Sequence, residues 1–134
     1  MGKRLGLRLF LSAALILGLA ACGTWATGGI ERPKGADTKA LEARTETNPA
    51  DILVTEEDIT DRAYTVLGDI EVTVNKATIF DRDPTRALID EELREEAAKV
   101  GADAVILVRY GTVGIGFASW GSLDGKGRAV AYDD

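Results

Sequence analysis

Apolar and polar positions alternate along the middle of the chain. Tyr64, Val66, Ile70, Val72 and Val74 fall on even numbers, with Thr65, Asp69, Glu71, Thr73 and Asn75 between them. A period of two predicts a strand with one buried and one wet face, and Gly68, which breaks the apolar set, predicts a bulge or hinge in it. Further on, Ile89, Leu93, Ala97 and Val100 recur every three or four residues, as one face of a helix does. Asp83 as N-cap with Pro84 in the first helical position predicts its start, and Gly101 in the left-handed conformation its end. Residues 104–108 are apolar at both parities, so that strand should be covered on both faces. The short apolar run 52–54 predicts an edge strand or the lead-in to one. Asp124-Gly125 reads as a hairpin-turn pair before a final strand over 128–132. The order β-β-α-β-β describes a small α+β domain over residues 51–134, with a single helix layered on an antiparallel or mixed sheet.

The first 21 residues carry a different pattern. Lys3, Arg4 and Arg8 stand without an acidic residue, and residues 9–21 are all apolar or small. This is the anatomy of a cleaved signal peptide, because such a run rises only about 20 Å as a helix and a hydrocarbon core is roughly 30 Å thick. The run ends Leu19-Ala20-Ala21-Cys22-Gly23, which closely resembles the lipobox of bacterial lipoproteins. The resemblance implies that residues 1–21 are removed and that Cys22 becomes the acylated first residue, since only a thiol forms the thioether to the diacylglyceryl group. Several acyl chains then give a stable membrane anchor. Gly23, where Asp would retain a lipoprotein in the inner membrane, implies the outer membrane, facing the periplasm. Residues 22–50 hold Gly23, Gly28, Gly29, Pro33, Gly35 and Pro49 without an apolar period. They predict a flexible tether, on the order of 30 Å as a coil, with a short helix over 37–45. Trp25, three residues from the lipidated position, suits the interfacial layer.

Composition narrows the chemistry. The 134 residues are 46% hydrophobic and 28% charged, enough for one small domain with appendages. The chain contains no His and one Cys, which excludes Ser-His-Asp and Cys-His catalysis, histidine metal sites and an internal disulfide. Its formal charge of −6 becomes −9 once Lys3, Arg4 and Arg8 are removed. An acidic domain is a poor partner for nucleic acid, which needs a basic face.

Four groups of residues are candidates for function. Glu91, Glu92, Glu95 and Glu96 place carboxylate pairs at i, i+4 on adjacent helix faces, and oxygen ligands of this kind suit Ca²⁺ or Mg²⁺. Asp90–Arg94 and Glu95–Lys99 have the same spacing with opposite charge, so a solvated helix face is the better reading. The glycines between 111 and 127 do not form a phosphate loop, because Gly121 to Lys126 is one residue short of the required spacing. Phe117 and Trp120 in that stretch are candidate partner contacts, or else a lid over a small core. Lys76 and Arg109 each follow a strand and read as surface charges. No set of residues forms a catalytic constellation, so the expectation is a non-enzymatic protein with no cofactor beyond its covalent lipid.

The stretch Gly68-Asp69-Ile70-Glu71-Val72, the helix-to-strand junction over 93–106 (LREEAAKVGADAVI) and Gly127-Arg128-Ala129-Val130 resemble the YbjQ-like domains, once labelled heavy-metal-binding. The resemblance spans roughly residues 51–132. It implies a small α+β fold that assembles as a ring, commonly a pentamer. A distant similarity extends to the outer-membrane lipoprotein that senses envelope stress for the Rcs phosphorelay, although that sensor is tied by disulfides and this chain has none. The metal label fits poorly, since soft metals want Cys or His and residues 51–134 hold neither. Together these readings predict a lipid-anchored envelope module that binds a protein partner, senses, or self-assembles. The alternative is a metal or small-ligand binder using the helix carboxylates.

Overall fold

The computed structural model describes residues 24–36, 38–111, 114–116 and 119–133, with all side chains among them except those of 38, 114–116, 119 and 120. Its elements in chain order are β1 (Thr24–Glu31), α1 (Thr38–Glu42), a 3-10 turn (Pro49–Asp51), β2 (Leu53–Val54), β3 (Tyr64–Lys76), α2 (Arg86–Lys99), β4 (Ala104–Tyr110), β5 (Gly114–Gly116) and β6 (Ser119–Tyr132). The strands form one mixed sheet in the order β1-β3-β6-β4-β2, with β5 paired to the start of β6. Among the described residues, β2 and β4 are the one parallel pair. The fold is α+β, with one main helix on a mixed sheet, as the alternation and the helical period predict.

The helix covers one face. Ile89, Leu93, Ala97 and Ala98 of α2 are buried against Ile70, Val72 and Val74 of β3, Val105 and Val108 of β4, and Leu123 and Ala129 of β6. One glycine of β6 lets the helix approach closely, since a Cβ at Gly125 would lie 2.1 Å from Ile89 Cγ2. A second leaves room for β4 side chains, since a Cβ at Gly127 would lie 2.4 Å from Val105 Cγ1. Gly101 ends the helix at φ +71, as expected.

The opposite face carries a second cluster of Ala104, Ile106 and Val130, covered by Ile59, Tyr64, Val66 and Tyr132. Of the run 104–108 expected to be covered on both faces, residues 104–106 and 108 are buried, but Leu107 is exposed because its left-handed backbone turns it outward. The two bulges explain how one strand serves both clusters. At Gly68 the β3–β6 register shifts between Val66 and Gly68. Tyr64 and Val66 consequently turn to the second cluster, while Ile70, Val72 and Val74 turn to the helix. The single buried face expected for all five is thus split in two, because one extra residue reverses side-chain parity. In β4 the register shifts between Ile106 and Arg109, around Leu107, whose φ of 54 is left-handed.

Three other expectations are corrected. Residues 24–31, expected within the tether, form an edge strand in register with β3 from Thr24↔Lys76 to Glu31↔Asp69. Its inward positions Thr24, Ala26, Gly28 and Ile30 are mostly small, which hides the period-two signal. The far end of the same segment is also tied down. Arg44 Nη2 donates to the Gly101 carbonyl (2.9 Å), Thr47 Oγ1 to the Ala102 carbonyl (2.8 Å) and Thr47 N to the Ala98 carbonyl (3.0 Å). These bonds satisfy carbonyls at the exit of α2. The helix N-cap is Thr85, not Asp83. Its extended backbone (φ −122, ψ 160) lets Oγ1 accept from Leu88 N at 3.3 Å, while Asp83 pairs with Lys76. Finally, Asp124-Gly125 is no turn. Both residues lie inside the 14-residue strand β6, opposite Thr73 and Val72.

Candidate functional site

Among the described residues, the half of the second face not covered by residues 55–63 is an open surface. Cross-strand pairing stacks Asp69, Glu71 and Thr73 of β3 beside Arg128, Lys126 and Asp124 of β6. Alternation puts all six on the side away from α2. Arg128 forks onto Asp69, with Nε–Oδ1 at 2.7 Å and Nη2–Oδ2 at 3.3 Å, and this bond raises the Arg128 pKa. Lys126 Nζ meets Glu71 Oε1 at 3.2 Å, and Thr73 Oγ1 donates to Asp124 Oδ1 at 2.8 Å. Exposed pairs of this kind add little stability singly, but they fix an acidic column on β3 next to a basic one on β6.

A groove of about 670 Å³ runs across these columns from Glu31 on β1 to Leu107 on β4. Leu107 stands at its rim, 36% exposed, because its left-handed backbone turns it out of the β4 alternation. The bulge is held by the segment after β2. Thr55 N donates to the Val105 carbonyl (3.0 Å), Leu107 N to the Glu57 carbonyl (3.2 Å) and Val108 N to the Thr55 carbonyl (3.1 Å). The groove can therefore present both signs of charge and one apolar contact on a rigid, strand-built floor.

The helix carboxylates do not join this face. Glu91 and Glu95 are exposed, whereas Glu96 bonds Lys99 at 2.6 Å with its side chain 15% exposed and lies over Gly28 of β1. Burial first, and then the crowding of Glu95, Glu91 and Glu96, raises the Glu92 pKa. Among the described residues no three His, Cys, Asp or Glu side chains converge to hold a metal ion. The opposite-charge pairs anticipated along α2 are replaced by other partners. Asp90 accepts from Tyr110 OH at 2.5 Å, Arg94 Nε donates to the Ile52 carbonyl at 3.1 Å, and Lys99 takes Glu96. Lys76 is buried and paired with Asp83, and Arg109 Nη1 donates to the Glu56 carbonyl at 2.9 Å.

Sequence reasoning missed two clusters. One is the charge ladder, whose only signal was the polar parity of β3 combined with that of an unrecognised long β6. The other is Tyr110, bonded to Asp90 and covered by Arg86 with its guanidinium 4.7 Å from the ring centroid. Burial, and then the bond to Asp90, pushes the Tyr110 phenol up to about 12. Cys22 and Phe117 lie outside the described residues, as does the side chain of Trp120, although its backbone belongs to β6.

No family model and no curated protein matches the chain. Among solved structures it is similar to a protein of unknown function of the DUF74 family from Pediococcus pentosaceus, at 18% identity and a TM-score of 0.46, over 61% of this chain and 98% of that one. It is also similar to the Francisella virulence factor FvfA, at 18% identity and a TM-score of 0.48, over 78% of this chain and 97% of that one.

Proposed function

We infer that the chain is a membrane-anchored periplasmic lipoprotein, acylated at Cys22 and held at the outer membrane, whose domain acts without catalysis by binding a partner or assembling with itself. The observation that best supports a binding role is the open half-face, where Asp69 and Glu71 stand beside Arg128 and Lys126 across a groove of about 670 Å³. Such a surface is self-complementary. A two-fold axis parallel to the strands, midway between β3 and β6, would set the acidic column of one copy against the basic column of the other. Electrostatic matching of this sort fixes register and partner choice more than it adds affinity.

Native mass spectrometry of the mature, detergent-released lipoprotein tests this reading. The expected species carries acyl mass at Cys22, contains more than one subunit, and falls to a monomer when Lys126→Glu and Arg128→Glu are combined. A monomer at every concentration refutes self-assembly, and an unmodified Cys22 refutes the anchor. A retained divalent ion lost in Glu92→Gln/Glu96→Gln would favour the rival reading, in which Glu91, Glu92, Glu95 and Glu96 are ligands.

A further inference from the structure

We propose that the end of the domain bearing Trp25, Ile79 and Phe80 docks directly on the lipid bilayer, so that the domain stands on the membrane by an apolar tip instead of floating on a long tether. This rests on the anchor at Cys22. β1 starts at Thr24, so only Gly23 separates the acylated residue from the sheet, and two residues of chain reach at most about 7 Å. The 28 residues after Cys22 expected to form a tether therefore do not lie between lipid and domain.

Register then shows which end meets the membrane. Thr24 pairs with Lys76, the last residue of β3, and Thr24 Oγ1 lies 3.4 Å from the Arg82 carbonyl. The β3–α2 loop is thus beside the anchor. Its tip is Ile79-Phe80, 62% and 95% exposed, and Trp25 is 44% exposed on the adjoining strand. Connecting loops are normally built from Gly, Pro, Asn, Asp and Ser, so two large apolar side chains at a loop apex are unusual there. Their presentation is rigid. Asp81 Oδ2 accepts from Thr78 N (2.7 Å), Thr78 Oγ1 from Phe80 N (3.3 Å) and the Thr78 carbonyl from Asp81 N (3.2 Å).

The surrounding charges, Lys76, Asp81, Arg82, Asp83 and Arg86, sum to +1, so the net negative charge of the chain sits away from this end. Phe and Trp side chains favour the headgroup boundary, and an apolar tip beside an acyl anchor adds the second attachment that orients a lipidated domain.

The test uses the full mature lipoprotein in vesicles of phosphatidylethanolamine and phosphatidylglycerol. Acylation blocks Cys22, the only cysteine, so an introduced cysteine takes a nitroxide label alone. Ala77→Cys reports the tip. Asp61→Cys reports the opposite end, roughly 40 Å away along β3. Both positions are exposed. The Ala77 label should be several-fold less accessible than the Asp61 label to a water-soluble nickel complex, and more accessible to oxygen. Adding Ile79→Asp and Phe80→Asp should abolish the difference while the protein stays on the vesicles. Equal accessibility at both positions of vesicle-bound protein overturns the docking and leaves the anchor intact. An Ala77 label shielded from nickel and oxygen alike means a protein contact, and also overturns it. A wild-type chain with a free Cys22 thiol overturns the anchor, and the docking with it.

Discussion

Replacing Gly125 by Ala adds one carbon where the structure has no room for it. Its Cβ would sit 2.1 Å from Ile89 Cγ2, and 3.5 Å from both Ile89 Cβ and Val72 Cγ2. Helix and strand must part by about 1.4 Å to restore ordinary contact at 3.5 Å. Neither can yield easily. Ile89 is fully buried, and β-branched side chains in helices have one strongly preferred rotamer. The helix is also held at both ends, by the Thr85 cap and the Asp90–Tyr110 bond at one and by Arg44 and Thr47 at the other. Overpacking of this kind costs about 1–3 kcal/mol, and the fixed helix places Gly125→Ala near the top of that range. For a domain of this size the loss lowers Tm by roughly 10 °C or more. Gly29→Ala is the control, because nothing lies within 4 Å of that Cβ, and it should change stability by less than about 1 kcal/mol. Ile89→Ala alone should cost about 2–5 kcal/mol through the cavity it leaves. In that background Cγ2 is gone, so adding Gly125→Ala should cost little or restore some stability. Urea and thermal unfolding followed by circular dichroism would give all four values. An additive double variant, or a Gly125→Ala no worse than Gly29→Ala, refutes the close approach of α2 to β6.

Thr85→Ala should destabilise by about 1 kcal/mol, as losing an N-cap does, and an unchanged urea midpoint would show that Thr85 does not cap α2. The Tyr110 phenol, ordinarily at 10.0 and pushed up to about 12, keeps its proton longer in the folded state than in the unfolded one. Its contribution to stability is full below pH 10 and is lost as pH rises toward 12. An ultraviolet titration should show a late tyrosine step that disappears in Tyr110→Phe and moves down in Asp90→Asn, and no such step would refute the burial of this hydroxyl. Glu92 has the opposite consequence at neutral pH. Its raised pKa favours the neutral carboxyl, a gain present below the ordinary 4.5 and lost as pH rises through the folded value. Glu92→Gln should therefore melt higher than wild type at neutral pH and level with it in acid. A variant that melts lower at neutral pH would mean that the charge is used.

What the sequence reveals of this fold depends on how far each signal is local. The buried stripe of α2, the left-handed Gly101 and most of the two-sided run 104–108, all but Leu107, were legible because period, cap and apolarity are set within a few residues. The pairing of β1 was not, since its inward residues Ala26 and Gly28 are chosen by what lies over them. A Cβ at Gly28 would meet Glu96 Cγ at 2.8 Å, a contact between positions 68 residues apart. Gly125 misled for the same reason. In sequence Asp-Gly is a turn pair, whereas here the glycine answers to Ile89 overhead and the aspartate to the Thr73 hydroxyl across the sheet. Asp83 beside Pro84 looked like a helix start, but the buried Lys76 ammonium claims its carboxylate.

The two bulges also decide where the open face can lie. Gly68 pairs with Ala129 and Ile106 with Arg128, so the register shifts flank β6 at neighbouring positions. Beyond that line, toward Tyr132, β3 and β4 turn apolar residues to the second face, and residues 55–63 cover them. On the other side β3 turns Asp69, Glu71 and Thr73 outward, and no element lies over them among the described residues. Without the extra residue at Gly68, either Ile70 and Val72 would leave the helix for solvent or Tyr64 and Val66 would leave the second cluster. The tight fit of Gly68 explains why it is glycine, since a Cβ there would lie 2.7 Å from the Glu31 carbonyl at the end of β1. The same position thus closes the edge strand and marks where the second face changes from a covered apolar cluster to a charged ladder. Separating the two along one strand leaves the end bearing Trp25, Ile79 and Phe80 and the charged face on one sheet. If Trp25, Ile79 and Phe80 dock on the bilayer as proposed, a partner engaging Arg128 or Lys126 would meet a surface whose orientation those three residues set.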